Sequence, residues 1–169
     1  FLLRLAARFP FLVLAARLYG AGELGRFAYA TMAAELAAAL AVFGLKRGLA
    51  GELARSQDAG PGADAAVVGD ALVLGVALAL VAVGVLLAFP LLLFPNGMSH
   101  PGQRWLALVV LFITISDITL AALAFRHRIG AAVTARSVVE PWVLTLAGVA
   151  LAFSPLKHSG LLIAYFLSM

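Results

Sequence analysis

"ALVLGVALALVAVGVLLAFPLLLF", Ala71 to Phe94, runs for 24 residues without a charged side chain. As a helix it rises about 36 Å. That length crosses a hydrocarbon layer of about 30 Å with some tilt. The strands of a membrane barrel would alternate apolar and polar residues over short segments. This run does not alternate, and Ala, Leu and Val dominate it. It reads as a membrane-crossing helix.

The surrounding chain repeats the pattern. Trp105 to Phe125 is a second apolar run interrupted only by Asp117, and Phe27 to Leu45 a third interrupted only by Glu35. Of the 169 residues, 64% are hydrophobic and 12% charged, with a mean hydropathy of +1.07. Soluble domains carry about 25% charged residues. The expected fold is an all-α integral membrane protein, a polytopic helical bundle. Its spans fall at 1–18, 26–45, 67–94, 104–125, 131–153 and 161–169, the last only the start of a sixth helix. The whole chain forms one transmembrane domain.

The joints between spans are short. "YGAGELG" (Tyr19 to Gly25) reads as a glycine-rich turn. The long polar connection is Lys46 to Ala65. In its first half Leu45, Leu49 and Leu53 recur every fourth residue, predicting a short helix at the membrane interface. The chain opens at Phe1 and stops at Met169, inside apolar stretches at both ends. It therefore reads as a piece of a larger, transporter-sized protein.

Zero cysteines exclude a disulfide scaffold and a thiolate metal site. The basic pI of about 10.1 is explained by membrane topology and anionic lipid, so no nucleic-acid partner is expected. With the start of the chain inside, eight lysines and arginines fall on the inner side and four on the outer. The positive-inside rule thus predicts a cytoplasmic N-terminal end.

Charges inside the spans carry the functional reading. A charge at mid-bilayer costs about 2.5–3.5 kcal/mol on insertion scales, and such residues face a bundle interior or a wet cavity. Glu35 lies near the middle of the second span with Thr31 one turn before it; Asp117 lies past the middle of the fourth, with Thr114 three positions earlier. Asp70, Arg17, Arg26 and Arg104 lie near span ends and read as interfacial. In "TARSVVEPWVLTL" (Thr134 to Leu146), Arg136 and Glu140 are four apart. That spacing puts them on one helical face, where they can pair. Pro141 removes a backbone donor and predicts a kink beside that pair. Arg4 and Arg8 are also four apart, a spacing that can form a cationic strip. The bland alternative for these charges is pairing between packed helices or, for Arg4 and Arg8, snorkelling to the interface. His100, His127 and His158 fall in three different connections, so no shared metal site is expected. No nucleophile–base arrangement emerges, and the chain does not read as an enzyme or as the holder of a cofactor.

Two stretches resemble a known family. "AARLYGAGELGRFAYATMAAELAAALAVFGLKRGLAGELAR" (Ala15 to Arg55) resembles the start of polysaccharide flippases: Ala16, Arg17 and Gly20 end a first helix, and Gly25 and Phe27 open a second. Gly44 and Leu45 close that helix before a basic stretch reaching Arg55. "FRHRIGAAVTARSVVEPW" (Phe125 to Trp142) is similar to that family's link between the fourth and fifth helices. These flippases belong to the multidrug/oligosaccharidyl-lipid/polysaccharide exporter superfamily, with two helical lobes around a central cavity. The resemblance implies most of one lobe of a two-lobed transporter in the bacterial inner membrane. Its cargo would be a polyprenyl-diphosphate-linked oligosaccharide, moved by alternating access. Membrane lipid and the polysaccharide polymerase and export machinery would be its other partners. It makes Arg4, Arg8 and Arg136 candidates for meeting the anionic head group, since guanidinium grips phosphate with several donors. Glu35, Asp117 and Glu140 become candidates for charge balance or ion coupling. The alternatives are a cation-coupled multidrug exporter of the same superfamily and a structural membrane subunit.

Overall fold

A computed structural model describes residues 2–42, 44–56, 62–95, 97, 101–125, 129–154 and 160–169; within these, side chains are described except at 2–8, 46, 47, 101, 102, 129, 131 and 132. The described residues are helical with no strand. The helices are α1 (Leu2–Tyr19), α2 (Ala21–Ala41), α3 (Leu45–Ser56), α4 (Ala63–Ala88), α5 (Val109–Phe125), α6 (Ile129–Thr134), α7 (Glu140–Ala152) and α8 (Gly160–Ser168). Two 3₁₀ segments, Pro90–Leu92 and Pro101–Leu108, lie between α4 and α5, and a π-helical segment, Ala135–Val139, joins α6 to α7.

Three stretches among the described residues are long and apolar enough to cross a membrane: Ala63–Ala88, Gln103–Phe125 and Ala135–Ala152, with 26, 23 and 18 residues. They coincide with the third, fourth and fifth spans expected from sequence. α1 contributes a shorter apolar helix, Phe9–Tyr19. α2 has 21 residues, but Glu23, Arg26 and Glu35 interrupt its alanines. Large apolar side chains cover much of the outside; Val73 and Phe153 are 72% and 80% exposed. A soluble monomer rarely shows so much contiguous apolar surface.

The glycine-rich joint is shorter than its sequence suggests. Gly20 alone separates α1 from α2, with φ at +88°, a left-handed value that glycine adopts without steric cost. Ala21 to Gly25 then continue as helix rather than turn. Helix α3 forms where the leucine spacing predicts it. Its Leu49 and Leu53 are buried with Val42 and Ile118, packed against Val67, Val68 and Leu72 of α4. The leucine face is thus covered by protein.

The main core joins α1, α2, α4, α5 and α8. On α2 a stripe of Ala30, Ala34 and Ala38 is fully buried. Spaced one turn apart, these small side chains let helix backbones approach closely, the packing that membrane helices use in place of a hydrophobic driving force. α4 meets α5 just as closely. A β-carbon added at Gly75 would stand 2.3 Å from the end of Ile118 and 3.4 Å from the Thr114 methyl. α7 packs on both α1 and α8.

Candidate functional site

Three charged residues of the spans meet on one side of this bundle. A cavity of about 410 Å³ opens between α1, α2, α7 and α8, and Glu35, Arg136 and Glu140 all line it. Its remaining walls are largely apolar, with Phe11 from α1, Phe27 from α2 and Leu144 from α7. Ligand cavities characteristically combine such walls with a few convergent polar groups.

Arg136 is positioned by the backbone. Pro141 has no N–H for an α-helical bond to the Ser137 carbonyl, and its ring crowds that same carbonyl. The helix answers by widening: Ala135–Val139 is π-helical, and the Glu140 N–H donates to the Ala135 carbonyl five residues back. The kink expected at Pro141 is therefore realised as a wide turn just before it. π-turns of this kind recur at functional sites.

From that turn Arg136 donates through Nη1 to Asp117 on α5, forming an ion pair. The Asp117 side chain is only 7% exposed, whereas that of Arg136 is 48% exposed. A buried carboxylate thus holds one edge of the guanidinium, and the rest faces the cavity. This ion pair joins two helices through residues 19 apart in sequence. Glu140 shares the cavity wall.

Glu35 is held from another direction. The Tyr165 hydroxyl of α8 donates to a Glu35 carboxylate oxygen at 3.1 Å. Tyr165 is itself buried and meets Phe27 edge to face at 5.7 Å between centroids, and Phe27 meets Phe11 in the same manner at 6.0 Å. Such ring pairs contribute about 0.5–1.5 kcal/mol beyond burial. They tie α1, α2 and α8 around the cavity. Tyr165 has no local sequence signal, because it lies in an apolar segment readable only as the opening of a helix.

The other candidates fall into different settings. Arg4 and Arg8 belong to α1, but their side chains lie outside the described residues. Asp70 and Arg17 are exposed, and Arg26 forms an exposed 3.4 Å ion pair with Glu23. Thr31 lines the cavity and turns its hydroxyl to the Ala28 carbonyl at 3.1 Å. Thr114 is fully buried, and its hydroxyl oxygen has no hydrogen-bond partner among the described residues. His100, His127 and His158 lie outside the described residues. Among the described residues no three histidine, aspartate or glutamate side chains gather to hold a metal ion. No family model matches the chain, and neither a curated protein nor a solved structure matches it.

Proposed function

We propose that the chain forms part of a polytopic membrane transporter, and that the cavity between α1, α2, α7 and α8 belongs to its translocation path. The observation that carries this reading is the convergence of Glu35, Arg136 and Glu140 on one cavity. All three lie in segments that the apolar pattern assigns to lipid. Polar groups are retained at such depth where they face a wet interior and a substrate or ion. Three helices of spanning length and a largely apolar exterior supply the frame.

The cargo we propose is a lipid-linked oligosaccharide, moved across a bacterial inner membrane without bond chemistry. This rests on the sequence resemblance of Ala15–Arg55 and Phe125–Trp142 to polysaccharide flippases. Arg136 is the described residue best suited to an anionic head group, because Asp117 orients it and leaves other donors available. A second reading, a cation-coupled exporter, is favoured by the two carboxylates that line the same cavity. The two part in one experiment. Expression in cells lacking their polysaccharide flippase should restore surface polysaccharide, and Arg136→Ala should abolish that rescue while the protein remains in the membrane. Drug efflux driven by a sodium or proton gradient, with no rescue of polysaccharide, would support the exporter instead.

A further inference from the structure

Packing divides the helices into two bodies. One is α1 with α7 and α8; the other is α2 to α5, a continuous run of chain. Among the described residues, every pairing across the boundary is sparser than α1 on α7, α7 on α8 or α4 on α5. The cavity lies on that boundary, with α1, α7 and α8 on one side and α2 on the other. The chain crosses between the bodies twice, once between α5 and α6 and once at Gly20. Gly20 is a single residue with φ at +88°, where an added β-carbon would meet nothing within 4 Å. Element-terminal residues of this kind absorb the changes in φ and ψ that a hinge needs.

The ties across the boundary differ in how much movement they tolerate. Three are ring contacts: Phe11 with Phe27, Phe27 with Tyr165, and Phe112 of α5 with Phe166 of α8 at 5.0 Å between centroids. Such pairs hold over about 4.5–7 Å and accept small shifts. Arg136 reaches Asp117 on a long side chain that can follow a small displacement. The bond from Tyr165 to Glu35 has less slack. Its hydroxyl sits at the end of a rigid, buried ring, and its 3.1 Å separation already exceeds the usual O–H···O range of about 2.5–3.0 Å. Parting α8 from α2 would take the acceptor from a buried hydroxyl, and that cost keeps the contact shut. Glu35 and Tyr165 both line the cavity, where an occupant reaches them.

We infer that the hydrogen bond from Tyr165 to Glu35 is a latch that holds α8 against α2, and that its release lets the two bodies part along the cavity. The inference rests on the translocation path proposed above in treating the opened boundary as an entrance. Its test reads distances rather than transport, so its failure and the failure of that path are told apart.

Double electron–electron resonance between spin labels, on the protein reconstituted in lipid nanodiscs, provides that test. The chain has no cysteine, so labels can be introduced in pairs at exposed positions. Leu36→Cys on α2 with Leu146→Cys on α7 spans the boundary. Leu36→Cys with Val81→Cys on α4, and Phe9→Cys on α1 with Leu146→Cys, lie within a body. Tyr165→Phe keeps the ring and removes the hydroxyl. Across the boundary it should raise the ratio of longer to shorter distances about tenfold, while the pairs within a body keep theirs. Glu35→Ala should give the same shift, and the double variant no more than either, because both delete one contact. Should Tyr165→Phe fail to fold, Glu35→Ala carries the test on its own. Tyr19→Phe removes a hydroxyl bond inside the first body and should leave the distances across the boundary as in the wild type. Unchanged distances across the boundary in the latch variants, or an equal shift in Tyr19→Phe, would overturn the latch. Movement of the pairs within a body would overturn the division into two.

Discussion

Arg136 and Asp117 form an ion pair between the π-helical turn and α5, with the carboxylate buried and the guanidinium half in the open. The asymmetry decides what each residue does. Asp117 is a fixed point in the protein interior. Arg136 is the group whose remaining donors reach the cavity.

Removing the guanidinium should therefore cost more than removing the carboxylate's charge. Arg136→Ala takes a charge-assisted hydrogen bond from the buried Asp117 carboxylate, a loss of about 1.5–3 kcal/mol. Asp117→Asn leaves an arginine that can reach solvent, for a loss of about 1 kcal/mol. The double variant should lose less than the two singles combined, a coupling of about 1–2 kcal/mol. Thermal unfolding of the four proteins in one detergent measures it; strict additivity would show that the pair carries no energy.

The wide turn depends on Pro141. Pro141→Ala supplies the missing N–H, so Ala135–Val139 should tighten toward α-helical geometry and turn Arg136 away from Asp117. Repeating the Arg136/Asp117 cycle in that background should give a coupling near zero. A coupling as large as in the wild type would mean that the wide turn does not set the direction of Arg136.

Thr114 offers a gain in stability. Its hydroxyl is buried without a partner among the described residues, and an unsatisfied buried polar group costs about 1–3 kcal/mol. Thr114→Val keeps the shape and removes the burden, so the melting temperature should rise. An unchanged or lower melting temperature would show that the hydroxyl has a partner in the folded protein.

Tyr19 and Gly160 make a tight joint. The Tyr19 hydroxyl donates to the Gly148 carbonyl at 2.6 Å, and a β-carbon at residue 160 would lie 2.5 Å from that same oxygen. Gly160→Ala should displace the ring and cost about 1–3 kcal/mol, the range for overpacking. Tyr19→Phe removes only the hydrogen bond, for about 1 kcal/mol. In the Tyr19→Phe background Gly160→Ala should do less damage, because the crowding oxygen is gone. Equal damage in both backgrounds would refute the joint.

Topology can be read directly. A reporter fused after Gly62, in the connection before α4, should report from the cytoplasm. An extracytoplasmic signal would reverse the orientation drawn from the basic residues.

The helices were legible because their segments contain little besides Ala, Leu and Val, and such residues leave the backbone no alternative in lipid to bonding with itself. Gly22 and Gly25 misled in the other direction. Glycine weakens a helix by about 1 kcal/mol per residue without forbidding it, so Ala21 to Gly25 stay helical. The residues of the cavity were legible as misplaced charges: Glu35, Arg136 and Glu140 stand out against apolar neighbours. Their partners were not. Local spacing puts Glu140 beside Arg136, but it carries no information about α5 passing close enough to offer Asp117. Tyr165 was invisible for the same reason, since its importance comes from α8 packing where α2 can present Glu35.

The Tyr19 joint has a mechanical corollary. One phenol fastens α1 to α7 through Gly148 and sits against the first residue of α8, a link that resists these three rods sliding past one another. The seam with α2 is held by two ring contacts and one hydroxyl, so a hollow that widened there would part those links. Rods fastened this way would make α2 the moving jaw.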